Sequence, residues 1–389
     1  MKAIIMAAGE GRRLEPLTNR RPKPMIPVGN QPVLEYVVEA VADAGIDDIV
    51  LVVGYKRDRI QTYFGDGNDW GVDVSYAVQE KQLGTGHAVL QAEPHVDGAF
   101  VVLNGDRIIE PGVVEQVIDA PREAGDAVMA VTRSKRPGDY GVVTTDGDRA
   151  TDIAEKPGPH GSASEIINAG VYGFDDSVFA AIRACDVGPD GELAITSALD
   201  RLISRATVRC VRYRGQWVDL THLWDVVSVN ASVLDWFGAG IAETATVESG
   251  AVVADAVDVG GDARIGANAA LRPNVTLGDN VVVGSNAVLS NAVVFPGAVI
   301  DDGAVVRDAV VGEDARVGPN TTVVGGDADV VVDGTYHEGV TFGGVLGDYA
   351  DVGGGVLVEP GTRLGDDAIV ESGATLTGAI SPETEVRRG

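Results

Sequence analysis

The 389-residue chain is 45% hydrophobic and carries 58 acidic against 30 basic residues, a formal net charge of −28 with an isoelectric point near 4.4. That apolar content supports large cores and the length suits two domains, while the charge argues against nucleic acid or an anionic membrane as the main partner. Cys185 and Cys210 are too few for a disulfide framework and have no metal-type spacing, which suits a reducing cytoplasm. Lysine is confined to Lys2, Lys23, Lys56, Lys81, Lys135 and Lys156. Acidic, lysine-poor, arginine-retaining surfaces stay hydrated in very high salt, so an extreme halophile is expected. The N-terminus enters an apolar strand at once, without a charged and apolar leader. No run of eighteen apolar residues occurs, so no membrane span is expected. A cytoplasmic location follows as an expectation.

Taken in chain order, residues 2–8 form a short apolar run that predicts a buried first strand. It ends in Ala7, Ala8, Gly9 and Gly11, small enough for backbone to approach a ligand closely. Arg12, Arg13, Arg20, Arg21 and Lys23 follow, and a glycine-bearing turn with fixed cations suits a nucleoside triphosphate. The third glycine of the dinucleotide fingerprint is missing, as is any Gly-Lys-Ser/Thr, so a dehydrogenase and a P-loop ATPase both fit poorly.

Residues 31–44 have helical periodicity with Gly45 as a stop. Residues 49–53 read as a strand buried on both faces, Arg57–Phe64 as a short helix and residues 72–78 as another strand. Residues 100–103 form a strand ending in Asn104-Gly105-Asp106. This alternation predicts an α/β domain with a mixed, mostly parallel, Rossmann-like sheet whose ligands sit beyond the carboxyl ends of the strands. Gly9 and Asp106 both lie at such ends, so the fold alone would bring them to one crevice. Between them, the glycine-broken segment 79–88 precedes a helix over 88–92. Tyr140 to Val143 starts a hairpin with Asp146-Gly147 at its turn. Glu155-Lys156-Pro157, the run 167–172 and Trp217-Val218-Asp219-Leu220 come next, and residues 222–237 read as a connecting helix.

From Ile241 the character changes. Ile241, Val247, Val253, Val259, Ile265, Leu271, Leu277, Val283 and Leu289 recur at a spacing of six. The phase slips by one to Val294, Ile300 and Val306, slips again to Val311, Val317 and Val323, and resumes at Leu346, Val352, Val358, Leu364, Val370 and Leu376. Hexapeptide periodicity of this length predicts a parallel β-helix with inward aliphatic side chains. Residues 327–344 break the pattern and are expected to loop out. The expected domains are 1–221, a linker helix over 222–240, and a β-helix over 241–389.

The order Gly-x-Gly-x-Arg-Leu-x-Pro-Leu-Thr followed by Arg-Pro-Lys-Pro-Met resembles the signature of sugar-1-phosphate nucleotidylyltransferases, with Arg12 where the family often has Thr. The resemblance implies that Arg13 and Lys23 hold the triphosphate. It implies that Gln79, Gly84 and Thr85 read a pyrimidine base, that Gly141, Glu155 and Asn168 bind sugar hydroxyls, and that Lys156 binds the sugar phosphate. Asp219 matches the family's second acidic metal ligand, beside Asp106, although Leu220-Thr221 stands where Gly-Thr usually follows. In families with this hexapeptide repeat the β-helix is a left-handed prism.

The expected reaction is NTP plus sugar 1-phosphate giving NDP-sugar and pyrophosphate, by in-line attack on the α-phosphorus. Two anions must meet, so positioning and charge neutralisation dominate. Mg²⁺ on Asp106 and Asp219, with Arg13, Lys23 and Lys156, would supply both. UTP or dTTP and glucose 1-phosphate are the first choices, and a homo-oligomer is expected. One alternative is a UTP:N-acetylglucosamine-1-phosphate uridylyltransferase with acetyltransferase activity in the β-helix. Against acetyl transfer, Asp302 falls where bifunctional relatives place a histidine and Val305 where they place a tyrosine. The repeat region also holds no lysine, and His337 lies in the interrupting segment. The other alternative is a non-catalytic regulatory or exchange-factor paralogue, which the retained Arg13, Lys23, Asp106, Lys156 and Asp219 disfavour.

Overall fold

A computed structural model describes residues 1–158, 164–188 and 191–388. The chain divides into two compact units. The first comprises Met1–Glu10, Pro22–Met25 and Val33–Val218, and the second Gly11–Arg21, Ile26–Pro32 and Asp219–Gly389.

The first unit is built on a nine-stranded sheet. Its strands are β1 (Lys2–Ala7), β2 (Asp48–Val53), β3 (Asp73–Val78), β4 (Phe100–Asn104), β5 (Ala127–Arg133), β6 (Gly141–Asp146), β7 (Arg149–Glu155), β8 (Ile166–Phe174) and β9 (Val208–Arg212). The order across the sheet is β3-β2-β1-β4-β8-β5-β9-β7-β6. β1 runs parallel to both β2 and β4, and β3 parallel to β2, as the strand–helix alternation predicts. Beyond β4 the sheet becomes mixed. β8 is antiparallel to β4 and β5, and the β6–β7 hairpin forms an antiparallel edge. That edge carries the predicted turn at Asp146-Gly147.

Alternate residues of β1 enter opposite cores, which is why the run reads as continuously apolar. Ile4 and Met6 pack with α3 (Thr85–Gln91), α5 (Ser177–Arg183) and α6 (Ile195–Ile203). Ala3, Ile5 and Ala7 pack with α1 (Val33–Asp43), α2 (Arg57–Phe64) and α4 (Pro111–Asp119). Helix α3 starts three residues before the predicted span. The backbone N–H groups of Gly86 and His87 donate to the carbonyl of Leu193, a remote partner that no local periodicity announces.

The second unit is a triangular parallel β-helix. Ile265 stacks on Val283, then Ile300, Val317, Val352 and Val370 along one face, and the inward aliphatics form a continuous buried column. The two phase slips have a shared cause. Strands Val288–Val294 and Val305–Val311 each run seven residues round a corner, bending at Asn291 and Asp308 in the left-handed region at φ 48°. Asn291 Nδ2 donates to Asp308 Oδ1 at 2.6 Å, linking the two corners. Residues Asp327–Val332 and Thr335–Thr341 leave the stack as an antiparallel hairpin, while Ala309 to Val311 pairs directly with Gly344–Leu346 beneath it. Helix α7 (Leu223–Phe237) packs on this unit. Its fully buried Asn230 accepts hydrogen bonds from Thr276 Oγ1 and Gly29 N at 2.8 and 2.9 Å. Among the described residues no helix is long and apolar enough to cross a membrane.

Candidate active site

The carboxyl ends of β1, β2, β3 and β4 are drawn together by close backbone approaches. Gly105 N donates to Met6 O at 2.9 Å, and a Cβ on Gly105 would lie 2.8 Å from that oxygen. The turn bearing Asp106 is thereby fastened beside the end of β1, where Ala7, Ala8 and Gly9 lie. Tyr55 N donates to Ala8 O at the end of β2. A Cβ on Gly54 would meet the Gln79 carbonyl at 2.9 Å and Ala8 Cβ at 3.1 Å. Gly54 thus packs among the candidate nucleotide-site residues without having been singled out from the sequence. Its signal was its place after β2, matching Gly9 after β1.

Lys23 Nζ donates to Asp106 Oδ2 at 2.6 Å. Burial alone would raise the Asp106 pKa, but Lys23 and Arg107 hold it below the ordinary carboxylate range. The carboxylate therefore stays charged below the pH at which a free one protonates. Its other oxygen, Oδ1, is buried without a hydrogen-bond partner and lies 3.9 Å from Arg107 Nε.

Gln79 is buried at the end of β3. Its Nε2 donates to Gly84 O at 3.1 Å and lies 2.9 Å from His87 Nδ1. Gly84, at φ 92°, closes the loop against Leu193, whose carbonyl would lie 2.7 Å from a Cβ there. Thr85 Oγ1 accepts from Ile195 N at 2.9 Å, which couples the start of α3 to the start of α6.

The three residues assigned to sugar hydroxyls converge at the mixed end of the sheet. A Cβ on Gly141 would sit 3.3 Å from Glu155 Oε2 and 3.5 Å from Asn168 Cβ. Asn168 is held by its own neighbours: Nδ2 donates to Tyr172 Oη at 2.6 Å, and Oδ1 accepts from Gly170 N. Burial pushes the Tyr172 phenol up to about 12, so it stays protonated. Lys156 takes a left-handed backbone conformation at φ 41°, with Nζ 3.7 Å from Glu155 Oε1 and the side chain largely exposed.

Gly11, Arg13 and Asp219 belong to the second unit. Gly11, left-handed at φ 73°, opens a 3-10 turn over Arg12–Leu14 and accepts from Thr18 Oγ1 at 3.0 Å. Arg13 Nε lies 3.9 Å from Asp333 on the inserted hairpin. Asp219 Oδ2 accepts from Thr221 Oγ1 at 2.7 Å. His337 packs against His222 and Trp224, with ring centroids 4.8 and 5.0 Å away.

The chain belongs to the nucleotidyl transferase family, whose model matches residues 2–235. A GMPPB C-terminal domain model matches residues 253–387. The chain is similar to the bifunctional protein GlmU of Methanococcus maripaludis, at 37% identity over 60% of this chain and 55% of the relative. It is also similar to a glucose-1-phosphate thymidylyltransferase of Streptomyces antibioticus, at 36% over 68% of this chain and 74% of that one. The low-salt glycan biosynthesis nucleotidyltransferase Agl11 of Haloferax volcanii matches at 36% over 60% of this chain and 66% of its own. Thus the chain spans only about half the length of its GlmU relatives. A crystal structure described as a glucose-1-phosphate thymidylyltransferase of Bacillus anthracis with sucrose aligns at TM-score 0.55 and 28% identity, covering 60% of this chain and 96% of its own.

Proposed function

We propose that the protein transfers a nucleotidyl group from UTP or dTTP to a sugar 1-phosphate, glucose 1-phosphate first, releasing pyrophosphate. The observation that carries this reading is the Lys23–Asp106 pair, fastened by Gly105 to the end of β1. A cation and a hard oxygen ligand are the two groups that triphosphate chemistry requires there. The partnerless buried Oδ1 of Asp106 suits a divalent cation, so Mg²⁺ fits this carboxylate; Asp219 would be its second protein ligand on the family signature alone. When bound, Mg²⁺ would neutralise phosphate charge. Arg13 and Lys23 would stabilise the departing pyrophosphate, and Lys156 would orient the attacking phosphate oxygen. That oxygen is already ionised at neutral pH, so no general base is assigned.

Gln79 uses its amide N–H groups on Gly84 and His87, which leaves its amide oxygen to accept the imide N–H of uracil or thymine. Ala7, Ala8, Gly9 and Gly11 would let the backbone approach the nucleotide, with Gly84 and Thr85 completing the base site. Gly141, Glu155 and Asn168 offer a polyol a carboxylate, an amide and space.

An N-acetylglucosamine 1-phosphate specificity is the second reading, favoured by the similarity to proteins named GlmU. Acetyl transfer in the β-helix is disfavoured, because His337 sits on the hairpin packed against His222 and Trp224. The β-helix is assigned to rigidity and homo-oligomer formation, and the acidic surface to function in high salt. The test is pyrophosphate release with Mg²⁺ at low and molar KCl. The grid sets UTP, dTTP, ATP and GTP against the 1-phosphates of glucose, glucosamine and N-acetylglucosamine. One dominant pair, active in high salt, is expected. No release from folded protein that binds none of the nucleotides would instead favour the regulatory paralogue.

A further inference from the structure

Arg107 follows Asp106 directly, and its largely buried side chain reaches several residues of the first unit's candidate site. Nη1 donates to the Asn168 carbonyl at 3.1 Å. The guanidinium lies 5.0 Å above the Trp217 ring and 6.0 Å from that of Tyr140. With the Asn104 amide oriented to present its oxygen, Nε and Nη2 also donate to it at 3.3 Å. Trp217 Nε1 donates to the next carbonyl, Ala169 O, so two consecutive carbonyls of β8, at the register shift after Asn168, are held by one stacked pair. Gly170 leaves the room for this. It adopts φ 80°, and a Cβ there would fall 2.9 Å from Arg107 Nη1.

The same guanidinium is a fixed charge 3.9 Å from the partnerless Oδ1 of Asp106, while Lys23 occupies Oδ2. A divalent ion approaching this carboxylate alone meets two cations that already compensate it. One arriving with a triphosphate brings enough negative charge to reverse the balance. A planar guanidinium can stack and bond a carbonyl at once, which an ammonium cannot.

We propose that Arg107 is a positioning residue that locks the turn carrying Asp106 to the stretch of β8 at Asn168 and Ala169, and whose charge makes divalent-cation binding at Asp106 depend on the triphosphate. The inference rests on the proposed reaction.

The test compares full-length wild type, R107K and R107Q by Mn²⁺ binding, read from the free Mn²⁺ resonance with and without UTP or dTTP, and by steady-state kinetics. Wild type and R107K bind Mn²⁺ weakly without nucleotide. R107Q gains roughly tenfold in nucleotide-free affinity, the scale of losing one nearby like charge. Both variants raise KM for the sugar 1-phosphate roughly tenfold, with a smaller change in KM for the nucleotide, the scale of losing one charge-assisted hydrogen bond. Equal Mn²⁺ affinity in wild type and R107Q, or an unchanged sugar KM in R107K, overturns the proposal. R107K keeps the charge but loses the planar fork that bonds the Asn168 carbonyl, so its KM decides the positioning role even if R107Q does not fold. A wild type that releases no pyrophosphate from any pair would instead sink the reaction. An active wild type with indistinguishable variants would sink only the role of Arg107.

Discussion

The ammonium of Lys23 sits 2.6 Å from Oδ2 of Asp106, although 83 positions separate them, and together they mark the charged centre of the first unit. The backbone bond from Gly105 N to Met6 O, which fastens the Asp106 turn, does not use the Asp106 side chain. Charge can therefore be removed without dismantling the turn.

Asp106→Asn and Lys23→Ala should each lower kcat by about a hundredfold or more, the scale of losing one preorganised electrostatic group. Thermal midpoints should stay near wild type. Steady-state rates paired with melting curves check this, and an active Asp106→Asn enzyme would exclude Asp106 from the chemistry.

Gly141→Ala places a methyl group 3.3 Å from both Glu155 Oε2 and Thr196 Cγ2. Tight contacts on two sides should narrow the sugar site more than they disturb the fold. KM for the sugar 1-phosphate should rise roughly tenfold while KM for the nucleotide changes little, a loss of about 1.4 kcal/mol in sugar binding. Equal rises in both constants would place Gly141 elsewhere than at the sugar.

Within the second unit, Arg21 Nη2 donates to Asp348 Oδ2 and Glu313 Oε2, both at 2.8 Å, and its guanidinium lies 4.9 Å from the Phe295 ring centroid. Asp348 is fully buried. Arg21→Met leaves that carboxylate uncompensated and should cost about 3–5 kcal/mol. The double variant Arg21→Met with Asp348→Asn should recover most of the loss, because no buried charge is then stranded. Urea unfolding of the four proteins at fixed salt gives the coupling, and a double variant no better than Arg21→Met would refute it.

Asp348 and Asp366 both have raised pKa values, burial being the largest cause, with Arg21 opposing it at Asp348 and the charge of Asp348 adding to it at Asp366. A folded-state pKa above the unfolded value means that the native state binds more protons in the window between them. Their contribution to stability is fully present below the unfolded carboxylate pKa and is lost as pH rises through the folded values. Asp348→Asn removes one such group while its amide oxygen still accepts from Glu313 N. Unfolding midpoints measured from about pH 4 to about pH 7 should show a less negative slope in Asp348→Asn than in wild type, starting just above the ordinary carboxylate range. Parallel slopes would contradict the assignment.

The sequence alone determined the features that repeat or punctuate locally. Alternation through Asn104, the small residues after β1, and a six-residue aliphatic period are visible without a partner, because strand pleat and coil rise set them residue by residue. Even the phase slips were legible, though not their cause, two corners bent at Asn291 and Asp308. What only the tertiary structure decided are contacts between distant residues whose neighbours give no sign of them. Leu193 sets where α3 begins, Gly54 brings Ala8 to Gln79, and Arg107 bonds the carbonyl of Asn168. In the sequence Arg107 is one more charged residue after a strand. Its distinctive surroundings exist because folding brings β4, β8 and Trp217 around one guanidinium, where burial makes each polar contact matter.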